Sequence, residues 1–376
     1  MTTKKILILS VSAGAGHVRA AEAIRAYSQL ADGMSVEATH FDVMDYVHTG
    51  FRKIYTDFYI KLVNKAPALW GYLYHASNEA KPDSSLEKVR RGLERLNTIA
   101  LRKAITEFAP DAIVCTHFLP AEILSRMIRQ ERMSAPVWVQ VTDFDLHRLW
   151  VHKEISGYFA ANDEVSFRMQ ASGVEAEQIH VTGIPIMPAF AQNLDRESCA
   201  QAIGLDPKVK TFLLMGGGAG LGELDTVAER LLALRDDFQL IVLAGKNAEV
   251  LAALKVLAER YPKRLVAMGF TQEVERLMVC ADVIITKSGG LTTSECLAMG
   301  LPMIINAPIP GQEERNADYL LEQGVALKAF DEVTLAYRVR YLLENPEKLQ
   351  QMRERAQHIG RPYAGKAVVL RVLESC

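Results

Sequence analysis

A few short stretches of this 376-residue chain bring together side chains that could do chemistry. The first is Ser12-Ala13-Gly14-Ala15-Gly16-His17, where an apolar run ends in glycines and then an imidazole. Glycine lets backbone approach a ligand, and the N–H groups that open the following helix favour negative charge. A tight strand-to-helix turn needs such glycines even without a ligand, but a histidine at the start of the helix points to chemistry rather than packing. Met215-Gly216-Gly217-Gly218-Ala219-Gly220-Leu221-Gly222 repeats the arrangement later in the chain. The first loop gives G-x-G-H where a dinucleotide site needs G-x-G-x-x-G, and no glycine-lysine-serine or glycine-lysine-threonine follows the strand to make a P-loop.

A third loop, Thr286-Lys287-Ser288-Gly289-Gly290-Leu291-Thr292-Thr293-Ser294-Glu295, ends a buried strand with small residues, hydroxyls and backbone donors, which suits a diphosphate. Glu295 stands three residues after Thr292, so it reads either as a capping-box carboxylate or as an acceptor for two ribose hydroxyls. Spacing alone favours the cap. Gln312 and Glu313, in Pro310-Gly311-Gln312-Glu313, can bond vicinal sugar hydroxyls or simply start a helix. His117, in Thr116-His117-Phe118-Leu119-Pro120, follows another strand end and either lines a pocket or closes a turn.

These residues need a scaffold that delivers them from strand ends. Short apolar runs alternate with helical patterns throughout, the signature of βα units on parallel sheets. Strands are expected at 6–10, 36–41, 112–116, 137–142, 157–161 and 180–182, then at 211–215, 239–244, 265–269, 283–286, 303–306 and 326–328. The pattern restarts after Gly183-Ile184-Pro185-Ile186-Met187-Pro188, which resists both helix and central strand and is the expected linker. The fold class is therefore α/β with two Rossmann-like domains, 1–184 and 185–376, around a cleft. The last helix is a candidate to pack back on the first domain.

With 49% hydrophobic and 23% charged residues, the composition excludes a mainly disordered chain, and a net charge of −2 argues against a wholesale nucleic-acid binder. Five cysteines without a C-x-x-C pair suggest neither a disulfide framework nor a zinc knuckle, and fit a reducing cytoplasm. The run Ile6-Leu7-Ile8-Leu9 is too short for a signal peptide or a span, so any membrane contact is expected to be peripheral.

Together the blocks Gly14-Ala15-Gly16-His17, Val141-Thr142-Asp143-Phe144, Leu146-His147, Trp150-Val151-His152, Thr182-Gly183-Ile184-Pro185-Ile186, Gly245-Lys246-Asn247, Thr286 to Thr292 and Pro310 to Glu313 resemble a known family. It is glycosyltransferase family 28, specifically the monogalactosyldiacylglycerol synthases and processive diacylglycerol β-glucosyltransferases. The resemblance covers almost the whole chain and implies the two-domain GT-B fold. It implies a lipid acceptor held mainly by the first half and a UDP-sugar held mainly by the second. On that resemblance, Lys246 lies with the donor and Phe270 beside the uracil. Ser288, Gly289, Gly290 and Thr292 contact the diphosphate, Glu295 the ribose, and Gln312 and Glu313 the sugar, while Gly217 and Gly218 let their loop approach the phosphates. Gly16, His117 and Trp150 go with the acceptor, although Trp150 could also simply pack.

Sugar transfer from UDP needs a base, stabilisation of the leaving diphosphate and exclusion of water. His17 is the candidate base, with Asp143 either orienting it or binding the acceptor hydroxyl. Asp143-Phe144-Asp145 spells the D-x-D with which another glycosyltransferase fold holds a metal. It falls in the acceptor half, however, so neither a metal nor any cofactor is expected, and helix N–H groups with Lys287 are expected to neutralise the leaving group. Between Gly50 and Lys103, basic residues including Arg90 and Arg91 outnumber acids and interleave with Tyr55, Phe58 and Trp70. That composition suits either an anionic membrane face or a solvated amphipathic helix. The expected partners are thus a UDP-sugar, diacylglycerol or glycosyldiacylglycerol, and anionic phospholipid on the inner face of the cell membrane, with no nucleic acid. A polyprenyl-linked acceptor and a non-catalytic UDP-sugar sensor are the alternatives.

Overall fold

A computed structural model describes residues 3–12, 14–30, 35–47, 71, 99–216, 223–234 and 237–376. The chain divides into two compact units, one of Met1–Pro188 with Ile309–Gln312 and Arg361–Cys376, the other of Ala189–Pro308 with Glu313–Gly360.

The first unit is built on parallel strands β1 (Lys4–Ser10), β2 (Val36–Asp42), β3 (Ala112–Cys115), β4 (Val137–Gln140), β5 (Gly157–Ala160) and β6 (Ile179–Val181), in the order β2-β1-β3-β4-β5-β6. Helices α1 (Ala15–Gln29), α2 (Ile99–Phe108), α3 (Phe118–Arg129) and α4 (Asp163–Ala171) connect or follow them. The register sets Ile6 between Ala38 of β2 and Ala112 of β3. Leu7 and Leu9 enter one core with Ile113 and Cys115, while Ile6 and Ile8 enter another with Ala112 and Val114. With both faces of β1 covered, no polar alternation survives in its sequence, as is usual for parallel sheets.

The strands lie within two residues of those expected, and the departure at the end of β4 is informative. β4 stops at Gln140 rather than at Thr142; Val141 still donates to the Phe159 carbonyl of β5, and its own carbonyl accepts the Gln140 side-chain amide at 2.8 Å. Thr142 and Asp143 lie beyond the end of the strand.

The last helix, α13 (Ala364–Leu373), belongs to the first unit. Val368, Val369 and Val372 pack with Ile6, Ile8 and Tyr27. Gly365 lies so close to Tyr27 that a Cβ there would stand 2.4 Å from the ring, so no larger residue fits. Polar ties finish the docking: Tyr27 donates to the Pro362 carbonyl, Lys4 to the Cys376 carbonyl and the Trp138 indole to Ser375 Oγ.

The second unit repeats the theme with β7 (Thr211–Met215), β8 (Gln239–Leu243), β9 (Leu265–Met268), β10 (Val283–Thr286), β11 (Met303–Asn306) and β12 (Ala326–Ala329), ordered β12-β11-β10-β7-β8-β9. Its helices are α5 (Arg196–Ala202), α6 (Leu224–Leu232), α7 (Ala248–Arg260), α8 (Val274–Cys280), α9 (Gly290–Ala298), α10 (Gln312–Glu322), α11 (Glu332–Glu344) and α12 (Pro346–Ile359). At the amino end of β10, buried Asp282 accepts from the Thr211 N–H, Arg196, Lys210 and Arg353. Burial pushes its carboxyl up, but the Thr211 N–H and the flanking cations outweigh that and hold it below the usual range. This tie gathers α5, β7, β10 and α12 at the end of the sheet opposite the glycine loops.

Candidate active site

In an open parallel sheet, ligands bind beyond the carboxyl ends of the strands where the strand order reverses. In the first sheet that point is between β1 and β3, since the chain leaves β1 to β2 on one side and then returns to β3 on the other. The segment after β1 leads to His17 and the segment after β3 leads to His117. The two imidazoles meet edge to face, with ring centroids 4.6 Å apart and planes at 82°.

His17 is the third residue of α1, whose N-cap is Gly14 in extended conformation with no side-chain cap. Its Nδ1 lies 2.9 Å from the Thr116 carbonyl oxygen and 2.9 Å from Thr142 Oγ1. A carbonyl only accepts, so Nδ1 carries the proton and Nε2 of the neutral ring keeps a lone pair. The Thr116 hydroxyl donates to the His17 carbonyl at 2.9 Å, clamping this turn of α1 to the end of β3. Burial lowers the His17 pKa to about 4, partly offset by the Thr116 carbonyl, so the ring is neutral at ordinary pH.

His117 is the N-cap of α3, its Nδ1 accepting the Leu119 N–H at 3.0 Å. It does close a turn, as one of its two expected roles required. Trp150 is buried, with its ring 6.2 Å from His17, 6.3 Å from His117 and 5.9 Å from Phe118. Packing, rather than lipid contact at a surface, is the role the structure gives it. Asp143 directly follows Thr142. The groups that hold His17 Nδ1 are the Thr116 carbonyl and the Thr142 hydroxyl, whose place beside the ring the sequence does not show. Asp145, the second carboxylate of the D-x-D, is buried and paired with Arg168 at 3.3 Å. Among the described residues no cluster of three or more His, Cys, Asp or Glu is arranged to hold a metal ion.

In the second sheet the order reverses between β7 and β10. α9 starts there, directly after β10, with Gly289 as its N-cap and neither a capping side chain nor an acidic residue in its first turn. Its leading N–H groups are therefore not taken up by side-chain caps. Thr292 is the third residue of α9 and Glu295 the sixth, so Glu295 is not a capping-box residue. It sits inside the helix, 8% exposed. Ser288 is fully buried, its hydroxyl donating to the Glu313 carbonyl at 2.6 Å. Asn316, equally buried, donates to the Ser288 carbonyl at 3.0 Å. These bonds fix the loop before α9 to the first turns of α10, and bring the Glu313 carboxylate to 3.8 Å from where a Gly289 Cβ would stand. Nothing in the sequence around Asn316 shows this tertiary partner 28 residues away.

Lys287 follows β10 directly, and Gln312 opens α10. At the ends of β8 and β9, Lys246 Nζ stands 5.2 Å from the centroid of the exposed Phe270 ring. Gly245 takes φ 60°, and Asn247 caps α7 through the Val250 N–H, so the Gly-Lys-Asn block has a local structural reason. Gly217 and Gly218, and Tyr55, Phe58, Trp70, Arg90 and Arg91, lie outside the described residues. No described helix is long and apolar enough to cross a membrane.

Residues 17–186 match the monogalactosyldiacylglycerol (MGDG) synthase family model, and residues 211–365 match the glycosyltransferase family 28 C-terminal domain. The second half of the chain thus carries the C-terminal domain of glycosyltransferase family 28, and the first half matches the MGDG synthase model. The chain is 27% identical over 379 residues to a processive diacylglycerol beta-glucosyltransferase of Bacillus pumilus, across 99% of this chain and 95% of that one. Its fold is similar to that of MurG from Acinetobacter baumannii, with a TM-score of 0.62, 16% identity and coverage of 99% of both chains. It is likewise similar to a UDP-GlcNAc 2-epimerase from Neisseria meningitidis solved with UDP-GlcNAc, with a TM-score of 0.62, 15% identity and coverage of 98% and 100%. Its two parallel-sheet units are those of the GT-B fold. The first family match opens at His17, the residue held at the first switch point.

Proposed function

We propose that this glycosyltransferase moves a hexose from a UDP-sugar to diacylglycerol with inversion, giving a β-glycosyldiacylglycerol, with glucose favoured over galactose. The observation that carries the chemistry is the fixed tautomer of His17, a neutral imidazole whose Nε2 lone pair is left to take a proton. The lipid acceptor and glucose rest on the full-length similarity to the Bacillus pumilus enzyme, and the nucleotide donor is supported by the UDP-GlcNAc-bound neighbour of the same fold.

In this reading the acceptor hydroxyl attacks the anomeric carbon as His17 Nε2 takes its proton. The bond from that carbon to the diphosphate oxygen breaks, and UDP leaves with the electron pair. One displacement inverts the centre, so a UDP-α-sugar yields a β-glycoside. The imidazolium, held at Nδ1 by the Thr116 carbonyl, then loses its proton to solvent. Asp143 contributes to binding the acceptor. The N–H groups that open α9, with Lys287, neutralise the departing diphosphate without a metal, so EDTA leaves turnover unchanged. Glu295 bonds the ribose, Gln312 and Glu313 the sugar, and Phe270 stacks on the uracil with Lys246 beside it. The enzyme works at the inner face of the cell membrane, with the basic aromatic segment ahead of α2 against anionic lipid.

The test is purified protein with anionic vesicles containing diacylglycerol, offered UDP-glucose and UDP-galactose separately, with lipid products read by mass spectrometry. A mono-hexosyl product establishes the class and names the donor, and a ladder of hexoses establishes processivity. UDP binding without a glycolipid product from either donor overturns the reading and favours a sensor.

A further inference from the structure

We propose that His117 is the second polar wall of the acceptor site, its Nε2–H donating to the oxygen of the hydroxyl whose proton His17 Nε2 takes. The proposal rests on the lipid-alcohol reading above.

The two imidazoles are held by backbone in opposite tautomers. At His17 a carbonyl oxygen 2.9 Å from Nδ1 requires a proton there and leaves Nε2 as an acceptor. At His117 a backbone N–H 3.0 Å from Nδ1 requires a lone pair there and places the proton on Nε2, a donor. Among the described residues nothing bonds either Nε2. The ring centroids are 4.6 Å apart, so an acceptor and a donor belong to neighbouring rings.

An alcohol matches that pair, because a hydroxyl has one proton to give and lone pairs to receive. A carboxylate or phosphate, with no proton to give, would face the His17 lone pair unfavourably, and an ammonium, with none to receive, would waste the His117 donor. Donation from His117 occupies one lone pair and aims the other at the reacting carbon, and His117 keeps its proton throughout.

Two further features fit this role. A cap alone needs only a short acceptor such as Ser, Asn or Asp, and the second ring nitrogen of His117 serves no capping purpose. Phe118, 4.1 Å from the His117 ring, and Trp150 supply an apolar backing that excludes competing water. Burial, with His17 as neighbour, holds His117 well below its ordinary pKa, so both rings stay neutral together and the pattern of donor and acceptor is preserved.

The test compares His117→Asn with His117→Gln. Asn keeps a carboxamide oxygen for the Leu119 N–H but has no donor at the Nε2 position, so it should match wild type in thermal stability. The longer Gln caps poorly but restores a distal N–H. In the vesicle assay, Asn should lower kcat about 100-fold with KM for the UDP-sugar unchanged, and Gln should recover about tenfold of that loss despite its lower melting temperature. Activity would then run in the order His, Gln, Asn while stability runs His and Asn together above Gln. Activity that follows stability, or an Asn variant at the wild-type rate, overturns the proposal. A wild-type enzyme that makes no glycolipid refutes the functional reading instead, which keeps the two failures distinct.

Discussion

The two units share a topological device, a strand order that reverses beside their first strand, and equip it in opposite ways. At the first switch point, between β1 and β3, the sequence places two imidazoles and a tryptophan, side chains of which the imidazoles are proposed to hold and move a proton. At the second, between β7 and β10, it places serine and glycines, so the group proposed to act there is the backbone at the open end of α9. Proton transfer needs a side chain with two protonation states, whereas anion binding needs N–H groups that no side chain obstructs.

Breaking the first site should have the largest effect. His17→Ala should lower transfer by about 10²–10⁴-fold while UDP binding, measured by calorimetry, stays at the wild-type value. Retained turnover would remove His17 from the chemistry. The same ring sets the acid limit. The base form is present above about pH 4, so kcat should be level above that value and fall as the pH drops through it. Stability has the same sign, since the unfolded chain, with a histidine near its ordinary value of about 6.5, binds more protons than the fold between the two values. The contribution of His17 is complete above about pH 6.5 and is lost progressively as the pH falls towards 4. Denaturant midpoints across that window check the sign.

Gly289→Asp sharpens the contrast, because it should keep the helix and harm the site. The position has φ −63° and ψ 137°, ordinary for a capping residue, and the one atom near a Cβ there is Glu313 Oε1 at 3.8 Å. Aspartate should cap α9 while the Glu313 carboxylate opposes its charge, so stability should stay within a few tenths of a kcal/mol of wild type. It should also weaken UDP binding at least about tenfold by placing negative charge where the diphosphate is proposed to lie. Unchanged UDP affinity would move the diphosphate elsewhere. The smallest effect on catalysis is expected at Asn316→Ala, which removes the donor to the Ser288 carbonyl and should cost about 1–3 kcal/mol of stability, read by urea titration. Its effect on kcat should be below tenfold, since the hydroxyl of Ser288 still ties the loop to Glu313.

Much of this was legible in the chain. Buried parallel strands such as Ile6 to Leu9 or Val283 to Thr286 are continuous apolar runs, and helices between them leave a distinct periodicity, so strand placement hardly needed the structure. The loops that end those strands were legible as well, since Gly14 to His17 and Ser288 to Thr292 announce themselves by composition. Glu295 was ambiguous in the sequence alone. Its distance from Thr292 suits a cap as well as a ribose contact, and spacing does not reveal which residue begins the helix; here Gly289 rather than Thr292 is the N-cap, which excludes the cap. Nor was the tie of His17 to Thr116 and Thr142 legible, because those partners are 99 and 125 residues away and meet it only when β1, β3 and β4 pair.

By itself the amino-acid sequence determined the α/β class, the two parallel sheets and the types of side chain delivered to their carboxyl ends, because these follow from local periodicity, turn chemistry and which residues resist burial. Only the tertiary structure decided which nitrogen of His17 bears its proton and which groups hold the loop ahead of α9. Those properties belong to hydrogen bonds between distant segments, and such bonds exist only once the strand order has brought their donors and acceptors to the same end of a sheet.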